Sequence, residues 1–121
     1  MKSHWITHRG RRILYADYTR SGEDTQNVAE EMACVINLAC SEPLNSVRTL
    51  TDVTGTRGSP QMLNLMKDTA AKIAPYALKR AVVGMSGVQL SFLKLINGLA
   101  GNKTFTLFDD IEQAKDWLVN D

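Results

Sequence analysis

Val47-Arg48-Thr49-Leu50-Thr51-Asp52-Val53, followed by Thr54-Gly55-Thr56-Arg57-Gly58 and then Ser59-Pro60, is the stretch that decides the fold. The first seven residues are mostly β-branched and apolar, which suits a strand. The next five hold two glycines and read as a loop. Ser59 is a helix-capping type, and Pro60 suits the first helical position, where a missing N–H costs nothing. Met62, Leu65, Met66, Thr69 and Ile73 then recur at helical spacing, and Pro75 marks the end. A strand that passes through a short loop into a helix is the half-unit of an α/β sheet.

Working outward, the same alternation continues on both sides. Upstream, a helix is expected from Asp24 or Thr25 to about Ala39, with Val28, Met32, Val35, Ile36 and Ala39 on one face. Glu30 and Glu31 are expected on the other face, and Pro43 and Asn45 end the segment. Before it, Trp5 to His8 and Arg12 to Asp17 read as two strands joined by an Arg9-Gly10 turn, a hairpin. Downstream, Arg80 to Met85 is a strand, Val88 to Leu99 a helix closed by Gly101-Asn102, and Thr104 to Phe108 the last strand. Asp109 then opens a final helix, with Glu112 completing a capping box and Ile111, Ala114, Trp117 and Leu118 facing inward. The order β-β-α-β-α-β-α-β-α predicts one α/β domain over residues 1–121. Its five-stranded sheet is mixed, parallel but for one hairpin strand, and flanked by four helices.

Composition narrows the function classes. The chain has 121 residues, 44% of them hydrophobic, and 14 basic against 13 acidic groups. A net charge of +1 gives no electrostatic case for nucleic acid as a partner. The run Arg9-Gly10-Arg11-Arg12 is short and reads as a solvated turn. There is no apolar stretch long enough for a membrane span and no signal-peptide pattern, so a cytoplasmic protein is expected. Cys34 and Cys40 fall in one helix, roughly 9 Å apart along its axis, and cannot bridge. His4 and His8 fall in one strand, roughly 13 Å apart, too far to share an ion. No metal and no cofactor is expected. Gly84-Met85-Ser86-Gly87 lacks the spacing of a nucleophile elbow, and both histidines precede the first crossover, so no catalytic set is expected.

Three segments carry a family resemblance: Thr51-Asp52-Val53-Thr54-Gly55 after a strand, Arg80-Ala81-Val82-Val83-Gly84 after the next helix, and Phe108-Asp109-Asp110-Ile111-Glu112-Gln113-Ala114-Lys115-Asp116-Trp117-Leu118 at the end. Together with the N-terminal hairpin they resemble the STAS superfamily, in the branch similar to the sporulation anti-sigma-factor antagonist (a STAS/SEC14-like domain). The resemblance spans nearly the whole chain. It implies a non-enzymatic regulatory module that binds a protein, such as a kinase-like anti-sigma factor. In the antagonists a serine of an Asp-Ser-Ser-Gly motif is phosphorylated to block association; Thr54 stands at the matching place, and Asp52-Val53-Thr54 replaces Asp-Ser-Ser. The SEC14-like part of the resemblance implies the alternative, a carrier of a small ligand or lipid.

Two candidate sites follow. Asp52, Thr54, Gly55, Thr56, Arg57 and Ser59 form a loop ahead of a helix start, where free N–H groups favour an anion or partner contact. Thr54 is the phosphoacceptor candidate, with Arg57 placed to pair with a phosphate. The plainer reading is that Asp52 and Thr54 satisfy loop backbone groups while Gly55 takes a left-handed turn. Leu90 and Leu93 fall outside the sheet-facing arc of their helix. They are candidates for a homodimer or partner patch, for lipid contact, or for ordinary scattered exposure.

Overall fold

A computed structural model describes residues 3–19, 25–55, 60–85, 94, 97 and 104–120. Five strands form one sheet in sequence order: β1 (His4–His8), β2 (Arg11–Asp17), β3 (Val47–Asp52), β4 (Ala77–Val83) and β5 (Thr106–Phe108). β1 pairs antiparallel with β2, and every later pair is parallel. The sheet is therefore mixed, with the hairpin supplying its one reversed strand. Arg9 and Gly10 both take positive φ, 52° and 81°. That is the primed two-residue turn whose twist matches a hairpin.

Three helices lie among the described residues: α1 (Thr25–Cys40), α2 (Pro60–Ile73) and α3 (Ile111–Val119). Successive crossovers in one direction place their helices on one face. Accordingly α1 and α2 share a core with Leu14, Ala16, Val47, Val53 and Val82. α3 covers the opposite face through Ala114 and Leu118 against Ile13, Leu50 and Ala81. Of the expected helix from Val88 to Leu99, only Lys94 and Asn97 are described, both helical; the rest, with Leu90 and Leu93, lies outside the described residues. No described helix is long and apolar enough to cross a membrane.

Element ends differ from the sequence expectation for local reasons. β4 begins at Ala77 rather than Arg80, because a 3-10 turn (Ala74–Tyr76) feeds it directly. That turn also accepts two backbone bonds from the segment before β3, Asn45 N–H to Pro75 and Ser46 N–H to Tyr76. β5 begins at Thr106 rather than Thr104. The Asn97 amide occupies both backbone groups of Phe105, accepting at 2.8 Å and donating at 3.1 Å, so Phe105 is withdrawn from the ladder. The cap of α3 is Asp110, not Asp109: its carboxylate accepts from the Gln113 N–H at 3.2 Å.

Glu31 corrects a second expectation. It is buried, only 5% exposed. It lies three residues past Val28 and four before Val35, both fully buried, so the helix carries it onto the core face. Its Oε2 accepts from the Ser3 backbone N–H at 3.2 Å and the Ser3 hydroxyl at 2.7 Å. Ser3 Oγ in turn accepts from the Asp17 N–H at 3.0 Å, which ties the chain ahead of β1 to α1 and β2.

Candidate functional site

The parallel strands end in line. Asp17 is level with Asp52, Asp52 with Val83, and Val83 with Phe108. The four strand ends make one rim, the edge where open α/β sheets ordinarily bind. Backbone bonds carry the alignment one residue further, Tyr18 N–H to Asp52 and Val53 N–H to Val83.

At the centre of this rim Asp52 closes a turn on Thr54. Its Oδ1 accepts from the Thr54 backbone N–H at 3.1 Å and from the Thr54 hydroxyl at 2.7 Å. Its Oδ2 accepts from the Tyr15 hydroxyl at 2.8 Å. Asp52 itself is buried, whereas Thr54 and Gly55 are exposed. Gly55 has φ +78°, the left-handed turn that glycine accepts without strain. The loop is thus a buried carboxylate holding an exposed hydroxyl at the surface.

The neighbouring strand carries the same device. Asp17 Oδ1 accepts from the Thr19 N–H at 3.0 Å and the Thr19 hydroxyl at 2.6 Å. Asp17-Tyr18-Thr19 and Asp52-Val53-Thr54 are register-matched copies of one Asp-x-Thr turn. Sequence reading singles out only the second, although the repeated spacing at two strand ends is a signal present in the chain. Thr56, Arg57 and Ser59 lie outside the described residues.

Gly84 closes the rim from the side of β4. It has φ +83°, and a Cβ added there would lie 2.2 Å from Thr54 Oγ1 and 2.6 Å from the Thr54 nitrogen. Only glycine permits this approach, so the end of β4 supports the Thr54 backbone. Burial, and next the bond to Asp52 and its negative charge, push the Tyr15 hydroxyl well above the ordinary tyrosine range. Tyr15 therefore stays protonated and remains a donor to Asp52.

The two histidines part company. His4 packs its ring edge on Tyr15, centroids 5.6 Å apart. His8 Nε2 meets Asp116 Oδ1 at 2.7 Å, joined by Arg9 at 3.3 Å. The hydrogen bond from His8, with the Arg9 charge, holds the Asp116 carboxyl below its ordinary range. Asp116 is nearly half exposed, so this pair fastens α3 to the hairpin turn at the surface. Cys34 is half-buried and Cys40 exposed, both as free thiols. No group of three or more potential metal-ligating side chains lies together among the described residues. Compared with models of protein families, with curated proteins and with solved structures, the chain matches none.

Proposed function

We propose that the chain is a non-enzymatic regulatory module of the kind its STAS-like sequence pattern suggests, docking a protein partner through the sheet rim around Thr54. The observation that carries this reading is the pairing of exposed Thr54 with buried Asp52. Phosphorylation of Thr54 turns its hydroxyl oxygen into an ester that no longer donates. It also sets about two negative charges beside the Asp52 carboxylate. The turn then loses one of its two bonds and opens by repulsion. A partner that reads the closed turn loses its surface. A kinase-like anti-sigma factor fits this scheme, since one protein both binds and modifies the threonine.

The test is incubation with kinase-like anti-sigma factors and ATP, reading phosphothreonine by mass spectrometry and complex formation by calorimetry. Modification at Thr54, with loss of the complex on modification, is expected. Finding neither phosphothreonine nor complex overturns the reading. The lipid-carrier alternative draws little support from the core. The cavity between the sheet and α1 and α2 is about 60 Å³, well short of the roughly 300 Å³ that a drug-sized ligand fills.

A further inference from the structure

The two edges of the sheet are finished differently. β5 has three residues, and Asn97 takes both backbone groups of Phe105 just ahead of it. β1 has five residues, His4-Trp5-Ile6-Thr7-His8, and pairs on one side only, with β2. Edge strands are ordinarily blunted by a charge, a proline or a bulge. β1 contains no lysine, arginine, acidic residue or proline, and its register with β2 runs without a shift. The hairpin turn fixes which of its backbone groups are spare. His8 and Arg11 flank a two-residue turn, so they exchange both of their backbone bonds. Alternation then turns Ile6 and His4 toward β2 and leaves Trp5 and Thr7 with N–H and C=O pointing outward. No described residue bonds these outward groups. The side chains along the edge are also incompletely covered. Trp5 and Ile6 are half-buried and Thr7 is exposed. Arg12 lies 3.9 Å from the centre of the Trp5 ring on one face, and Ile6 packs on the cluster under α3 on the other.

We propose that β1 pairs antiparallel with β1 of a second copy of this chain, about a two-fold axis through Ile6, joining two five-stranded sheets into one. The spacing selects a second copy as the occupant. The two outward residues, Trp5 and Thr7, stand one on each side of Ile6. A two-fold axis at Ile6 sets each Trp5 opposite Thr7 of the other copy, and the two exchange both of their backbone bonds. Every outward group is then used, and the pairing closes as a dimer without leaving a further edge of β1. The side chains agree with this register. Trp5 against Thr7 is an aromatic residue beside a β-branched one, a stabilising cross-strand combination. Ile6 meets Ile6 of the other copy in a pair without backbone bonds, where side chains approach most closely. His4 falls opposite His8 and completes the span. β2 separates this edge from the strand that leads to Thr54, so the inference stands or falls independently of the rim.

The test is sedimentation velocity of the whole chain over a concentration series up to the near-millimolar range, with Thr7→Pro beside it. A mass rising with concentration from 13.4 kDa toward twice that value is expected. Proline removes an N–H that points away from β2, so Thr7→Pro should keep the far-UV circular dichroism of the fold. It should weaken self-association by about tenfold or more, because each copy loses one donor. Should Thr7→Pro fail to fold, cross-linking decides alone. In a Cys34→Ala, Cys40→Ser background, Ile6→Cys brings its two Cα atoms to roughly 4.5 Å across the axis, a separation that a disulfide spans. Mild oxidation should therefore give a covalent dimer. Thr7→Cys in the same background falls opposite Trp5 and should stay monomeric. The proposal is overturned if the chain remains a monomer at every concentration, if a folded Thr7→Pro associates as tightly as wild type, or if Thr7→Cys cross-links as readily as Ile6→Cys.

Discussion

Asp52 is a buried carboxylate that accepts three hydrogen bonds, two from Thr54 and one from Tyr15. Its role is to hold a hydroxyl at the surface, and Gly84 completes the mould from the neighbouring strand. Gly84→Ala has to adopt positive φ and also push its methyl into the Thr54 backbone. We expect a loss of more than about 1 kcal/mol, from left-handed strain alone, in urea unfolding. Tyr15 gives a pH test of the same network. In the unfolded chain its phenol ionises near about pH 10, whereas in the fold it ionises only well above that. The folded state holds the proton longer, so the stability gained from Tyr15 is complete below about pH 10 and is lost as pH rises further. The stability difference between wild type and Tyr15→Phe should be flat from pH 7 to about 9 and shrink above pH 10. A difference that grows above pH 10 would contradict the assignment. At this scale the sequence is half legible. Asp52, Thr54 and Gly55 can be picked out because a loop between strand and helix has few readings. Glu31 is harder: helical spacing places it with Val28 and Val35, but its charge argues for solvent, and the partner that settles the conflict, Ser3, lies 28 residues away.

Among the elements, strand and helix order follows from periodicity, because a change from two-residue to helical spacing is written into each segment. Element ends are not, because other elements set them. β5 stops short at Thr106 on account of Asn97, and no property of Phe105 announces that its backbone is taken. The start of α3 shows how neighbouring aspartates divide the work. Asp109 and Asp110 are both capping types, and local sequence favours neither strongly. The described bond runs from Gln113 N–H to Asp110. Asp110→Ala should therefore cost about 1 kcal/mol, while Asp109→Ala stays within about 0.5 kcal/mol. Thermal unfolding of the two variants side by side distinguishes them, and equal losses would mean that the cap is shared.

For the whole molecule, the two faces of the sheet are secured unequally. On one side α1 and α2 pack on each other as well as on the sheet, and the Glu31–Ser3 bonds tie the chain ahead of β1 to α1. On the other, among the described residues, α3 alone forms the covering helix. Its last turn contains no basic residue to meet the carbonyls exposed at a helix C-terminus. The sheet supplies the charges instead. Arg48 of β3 donates to the Leu118 carbonyl at 2.8 Å, and Lys79 of β4 donates to Trp117 at 2.8 Å and to Asn120. The Lys79 ammonium also lies 4.6 Å from the centre of the Trp117 ring. Two central strands thus hold the end of the helix that covers them, a coupling that no local window of sequence contains. Replacing both residues, Arg48→Met with Lys79→Met, keeps the apolar stems and removes the donors. We expect a loss of about 1–3 kcal/mol, in the range for hydrogen bonds from charged groups. Hydrogen exchange should locate it: amides of residues 117–120 lose protection first, while those of β3 and β4 keep theirs, because α1 and α2 still bury the other face. Equal loss of protection in α3 and in the central strands would show instead that the two faces open as one unit.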